Sequence, residues 1–276
     1  MFITTVCMLV LGFQAATSAE KRLSQPVRKW HVPTMTAAPP AAGRRVSVTP
    51  PEYASTRVHH SLYLPENWKK GGKYPVIVEF TGNYFPEAGS SGQVQGASLG
   101  YGLSGGRFIW VVLPFIAEDG KSNARTWWGD EKATVAYAKT NIPRICREYG
   151  GDPDRVFLCG FSRGAIAVNY IGLADDEIAA LWAGFITHDH YDGQRAWPGT
   201  VWGTPLETYR KSAAARLKRL GSRPVLAMQA PDTNKIREYL GSHQTLGQIT
   251  FLNVPMARIF PKLPTEDIIH LHNDQW

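Results

Sequence analysis

Near the middle of the chain, Gly160-Phe161-Ser162-Arg163-Gly164 sets a serine between two glycines in the pattern G-x-S-x-G. That pattern is common by itself, and its surroundings give it meaning. An apolar run at residues 156–159 precedes it and a helix-compatible run at 163–173 follows, so strand, turn and helix come in the required order. A strand turning abruptly into a helix holds the serine at a strained backbone position. It also brings strand and helix so close that only glycine fits at 160 and 164. The hydroxyl then stands above the sheet edge, and the helix N-terminus below it offers N–H groups to developing negative charge. This is the chemistry of a nucleophile in acyl transfer. The bland alternative is a serine whose hydroxyl caps the helix; the agreement of strand, turn and helix favours the nucleophile.

The elements that must position Ser162 follow from the apolar pattern. Residues 57–64 alternate and read as an early strand. Residues 74–80, 108–113, 156–159, 183–187, 225–229 and 249–254 are short apolar runs of the kind found in parallel sheets covered on both faces. Between them, residues 132–149, 163–173, 206–220 and 235–243 read as helices. Pro143 predicts a kink or break in the first of these, and residues 150–154 predict a turn after it. Strands alternating with helices imply a mostly parallel sheet.

On the elbow and its setting, the sequence resembles the α/β-hydrolase superfamily, and within it secreted esterases of the feruloyl-esterase and polyhydroxyalkanoate-depolymerase kind. The resemblance covers roughly residues 46–276. It implies a three-layer α/β fold around a mostly parallel sheet and the chain order nucleophile, acid, histidine. The acid it points to is Asp232, just past the run 225–229; Asp189, with Asp192 behind it, is the rival. The base it points to is His272, in the ending His-Asn-Asp-Gln-Trp, with His270 as runner-up. The loop Thr81-Gly82-Asn83-Tyr84 stands where relatives carry His-Gly-Gly. It nominates the backbone N–H of Asn83 or Tyr84 as one oxyanion donor and that of Arg163 as the other. An ordinary glycine turn is the other reading of that loop.

Trp127 and Trp128 follow a strand and are candidate substrate-binding residues, or else core. His188-Asp189-His190-Tyr191-Asp192 carries metal-ligand types without a known spacing and reads as part of the site's rim, so no metal and no cofactor are expected. Cys146 and Cys159 are the one possible disulfide pair once Cys7 is set aside with the leader.

The chain of 276 residues is 43% hydrophobic and 19% charged, which suits a single globular domain and argues against disorder. A net charge of +7 is spread without a nucleic-acid module, so no nucleic-acid partner is expected. Residues 1–19 read as a signal peptide, too short to span a membrane, which implies a secreted or periplasmic protein. Residues 20–51 read as a Pro/Ala-rich linker or arm, and residues 52–276 as the hydrolase domain. The expected function is cleavage of a small-molecule or polymer-linked carboxylic ester by a serine hydrolase. A prolyl-oligopeptidase-type peptidase and a non-catalytic binding member of the fold are the alternatives.

Overall fold

The computed structural model describes residues 31–243 and 248–255; residues 1–19, His270 and His272 lie outside them. In chain order the elements are β1 (Arg45–Val48), β2 (His60–Tyr63), β3 (Tyr74–Phe80), a small hairpin of β4 (Tyr84–Phe85) and β5 (Ser90–Ser91), α1 (Leu99–Ser104), β6 (Ile109–Leu113), α2 (Glu131–Tyr149), β7 (Gly151–Phe161), α3 (Arg163–Tyr170), α4 (Asp176–Ala179), β8 (Gly184–His188), α5 (Leu206–Leu217), β9 (Val225–Gln229), α6 (Asn234–Gly241) and β10 (Ile249–Asn253).

Eight strands make one sheet in the order β1-β2-β6-β3-β7-β8-β9-β10. The first two are antiparallel additions at one edge, and the other six run parallel. Period-2 alternation assigns the two faces. Val76, Val78 and Phe80 of β3 join Ile109, Val111 and Leu113 of β6 in a core that also takes Ile142 and Ile145 of α2, Ile166 of α3, Leu217 of α5 and Ile236 and Leu240 of α6. Ile77, Trp110 and Val112 point the other way, into a second core with Leu99 and Tyr101 of α1. Helices therefore cover both faces, the three-layer arrangement expected.

Register fixes where the loops emerge. Phe80 lies opposite both Leu113 and Gly160, Phe161 opposite His188, and His188 opposite Met228. The carboxyl ends of β3, β6, β7, β8 and β9 thus finish along one edge, the side where open α/β sheets bind ligands.

Three local expectations change. Residues 45–48, read as part of the linker, form edge strand β1, with Val46 fully buried. Four residues between proline-rich stretches are too few to show a period. The residues before them are held as well, because Thr36 N–H donates to Arg45 O and Ser47 N–H to Thr36 O. Helix α2 continues through Pro143; Ile142, Ile145 and Cys146 bury its inner face on both sides of the proline, and packing outweighs the one lost N–H. The turn after α2 is also shorter than residues 150–154. Gly150, at φ 74°, caps the helix, and Gly151 already pairs with Tyr74. Cys146 and Cys159 are both buried free thiols rather than a disulfide.

Candidate active site

Ser162 sits on the connection from β7 to α3 at φ 55°, ψ −117°, a region that L-residues rarely occupy. Its N–H donates to His188 O across the sheet at 3.0 Å, and its carbonyl accepts from Ala165 N–H and Ile166 N–H, opening the helix. Its hydroxyl makes no capping bond to α3. A helix-capping serine takes extended backbone angles and bonds the first turn; Ser162 does neither. The glycines behave as the pattern requires. A Cβ on Gly160 would overlap the backbone of Gly164, and one on Gly164 would overlap the carbonyl oxygen of Phe80. No rotamer change relieves a clash between a Cβ and a backbone oxygen. Gly164→Ala is therefore expected to lower stability by about 1–3 kcal/mol or more, read as a shift in the urea midpoint.

The loop after β3 closes over this turn. A Cβ placed on Gly82 would stand 3.6 Å from Ser162 Cβ, so Gly82 faces the serine directly. Asn83 Oδ1 accepts from Trp127 N–H at 2.8 Å, and Asn83 O accepts from Ser90 Oγ at 2.7 Å. Tyr84 N–H is committed elsewhere: it donates to Arg125 O at 2.8 Å. An oxyanion donor must aim at the reacting oxygen, so Tyr84 gives way as a candidate. The backbone around Gly82 and Asn83, with Arg163 N–H, is left nearest the nucleophile. Sequence reasoning passed over Gly82, although its place between the end of β3 and Asn83 was the available signal.

The next strand over contributes Asp189, which follows β8 at φ 86° and donates its N–H to Met228 O at 2.9 Å. The carboxylate is buried, with Oδ2 3.5 Å from His190 Nε2. Among the described residues, the non-glycine residues at positive φ are Trp127, Ser162 and Asp189. All three lie in loops at the carboxyl edge, and backbone strain concentrates at functional sites.

No protein-family model matches the chain, and no curated protein does. Solved structures do. The feruloyl esterase module from Clostridium thermocellum, in a serine-to-alanine form complexed with sinapinate, matches at 16% identity and a TM-score of 0.50, over 83% of this chain and 87% of that one. The AtxE2 isopeptidase, in a serine-to-alanine form with astexin3-dC4 bound, matches at 15% identity and a TM-score of 0.50, over 77% of this chain and 35% of that one. With the eight-strand order and the strand–elbow–helix turn, this settles the architecture. The chain has the α/β-hydrolase fold.

In this fold Asp232 lies three residues beyond β9, half-buried, and its Oδ1 accepts from Asn234 N–H at 2.9 Å as α6 begins. Thr233 beside it is pinned to Asn253 Oδ1 through both N–H (3.0 Å) and Oγ1 (2.9 Å). The candidate bases His272 and His270 lie outside the described residues.

The two tryptophans lie 5.9 Å apart by centroid, both against Trp202, but differ in burial. Trp128 is 2% exposed and stacks on Tyr170 with centroids 4.7 Å apart, a core position closed to substrate. Trp127 is half-buried and meets Trp197 and Trp202 at 5.3 and 4.9 Å, and His190 packs edge-on against Trp197. Near the ends of β8 and β9 a cavity of about 680 Å³ is lined by His190, Gln194, Arg195, Gln229, Lys235 and Tyr239 among others. Within residues 188–192, Asp192 is taken by Arg216, whose Nε and Nη2 bond its two oxygens at 2.7 and 2.9 Å. Among the described residues no group of three His, Cys, Asp or Glu is arranged to hold a metal ion.

Proposed function

We propose that this protein is a serine hydrolase that cleaves a carboxylic ester through an acyl-enzyme. The observation that carries the reading is the elbow: Ser162 holds a strained turn that does not use its hydroxyl to cap α3, with Gly82 facing it. In this reading Ser162 Oγ attacks the acyl carbon while His272 takes its proton. Backbone N–H groups near Asn83 and of Arg163 receive the charge on the carbonyl oxygen. The acyl–oxygen bond then breaks, the alcohol leaves with the proton from His272, and water repeats the sequence to free the acid. Asp232 orients the imidazole. No electrons are transferred, so the chemistry calls for no redox cofactor. The substrate is a small-molecule or polymer-linked ester, and export through residues 1–19 completes the proposal.

The test is reaction of the purified full chain with a fluorophosphonate probe, the modified residue being located by mass spectrometry. Labelling at Ser162 that is lost in His272→Ala supports an activated serine. A folded protein that takes no label overturns the reading. Parallel rates on p-nitrophenyl esters and on anilides of the same acids separate esterase from peptidase.

A further inference from the structure

Arg163 follows the nucleophile in sequence, yet its side chain turns inward and is 1% exposed. Its guanidinium donates from Nε to Thr81 O at 3.3 Å, from Nη2 to Thr81 Oγ1 at 3.1 Å and to Gly92 O at 3.1 Å, and from Nη1 to Trp127 O at 2.7 Å. The plane lies over the Phe115 ring, 4.1 Å from its centroid. Every one of these acceptors is a carbonyl or hydroxyl oxygen, and none of the ion pairs among the described residues includes Arg163. Burial without a carboxylate lowers its pKa, to about 9. A charge buried on such terms is costly, and cheaper ways to fill the space exist, since apolar groups of similar volume pack as well.

The bonds show what the arginine holds. Thr81 belongs to the loop facing Ser162, Gly92 to the loop after the small hairpin, and Trp127, at φ 47°, to the loop after β6. Holding Thr81 O fixes the peptide plane whose N–H belongs to Gly82, the residue 3.6 Å from Ser162 as measured to a Cβ built on it. Holding Trp127 O fixes the residue whose own N–H bonds Asn83 Oδ1 at 2.8 Å. The segment 81–83 is therefore gripped at both ends by one side chain, once directly and once through Trp127. That circuit also sets a full positive charge beneath the backbone that meets the acyl oxygen, where solvent screening is weak.

We propose that the Arg163 side chain is a positioning residue for the oxyanion site: it sets the backbone of residues 81–83 toward Ser162 and adds its charge to the field there. The proposal rests on the serine-hydrolase reading. Preorganised donors act on charge that develops only in the transition state, so their loss appears in kcat more than in KM.

The experiment compares the full-length protein with Arg163→Met and Arg163→Lys, which keep the backbone N–H at 163. kcat and KM are measured on p-nitrophenyl acetate, active sites are counted with the fluorophosphonate probe, and millimolar guanidinium chloride is added back. Arg163→Met is expected to lose about 10²–10³-fold in kcat per titrated site with KM within about threefold, the loss typical of one oxyanion donor. Arg163→Lys should fall between it and the wild type, and guanidinium should partly restore Arg163→Met. A purely structural role would reduce the number of titrated sites and leave kcat per site alone; that result overturns the proposal. Where Arg163→Met does not fold, Arg163→Lys decides, and a wild-type kcat per site in it also overturns the proposal. Wild-type protein that neither hydrolyses the ester nor takes the probe fails the underlying reading instead, so the two failures are distinct.

Discussion

Ser162→Ala is expected to abolish turnover, lowering kcat by about 10⁶-fold where serine, histidine and acid act as a unit, while stability stays within about 0.5 kcal/mol of the wild type. Ser162→Gly should be equally inactive and more stable. The difference isolates the backbone. At φ 55°, ψ −117° the penalty falls on any residue with a Cβ, so alanine keeps the strain and glycine releases it. A strained position of this kind stores about 1–3 kcal/mol. Glycine returns about 0.5–1 kcal/mol of that through the extra freedom of its unfolded chain, which leaves a net gain on the order of 1 kcal/mol. Urea midpoints of the three proteins, with equal m-values, read it directly. A glycine variant no more stable than the alanine variant would mean that the turn stores no strain, and the elbow would lose its physical basis. A folded alanine variant that retained turnover would remove Ser162 from the chemistry.

What could be read from the sequence depended on how many residues carry each signal. β3, β6, β8 and β9 are strands of five to seven residues, each built around an apolar stretch, and two flanking glycines mark the elbow. These signals are local and redundant. β1 is four residues with an arginine at its start, and among the described strands it pairs with β2 alone. Nothing local distinguishes it from the arm it belongs to. The aromatic pair at 127–128 looks symmetrical in sequence, and both rings meet Trp202 with centroids 4.9 Å away, but Trp128 is buried against Tyr170 while Trp127 is half-buried beside Trp197. The Arg163 side chain was open to a different argument. A cation amid residues 156–168, which are otherwise mostly apolar, must find acceptors, and the carbonyl-rich loops over the site supply them. What stayed out of reach was how loops far apart in sequence share one hydrogen-bonded circuit, since that depends on the alignment of strand ends across the sheet.

The same dependence on strand ends bears on the acid. Asp232→Asn is expected to lower kcat by about 10⁴-fold, the effect of leaving an imidazole without the carboxylate that fixes its tautomer, whereas Asp189→Asn should stay within about tenfold of the wild type. Two observations favour Asp232. Its Oδ1 is held by Asn234 N–H, and its half-exposed position leaves the carboxylate open to an imidazole arriving from another segment. Asp189 is buried at the end of β8, so an imidazole reaching its carboxylate would have to be buried with it. The asparagine pair is a fair comparison. Asparagine tolerates the positive φ of residue 189 as aspartate does, and at 232 its Oδ1 still accepts from Asn234 N–H, so neither variant is expected to unfold. Measuring kcat per probe-titrated site in both removes any residual difference in folded fraction. If the 10⁴-fold loss falls on Asp189 instead, the acid comes from the end of β8, one strand nearer the nucleophile. The strain at φ 86° would then belong to the catalytic machinery, as the strain at Ser162 does.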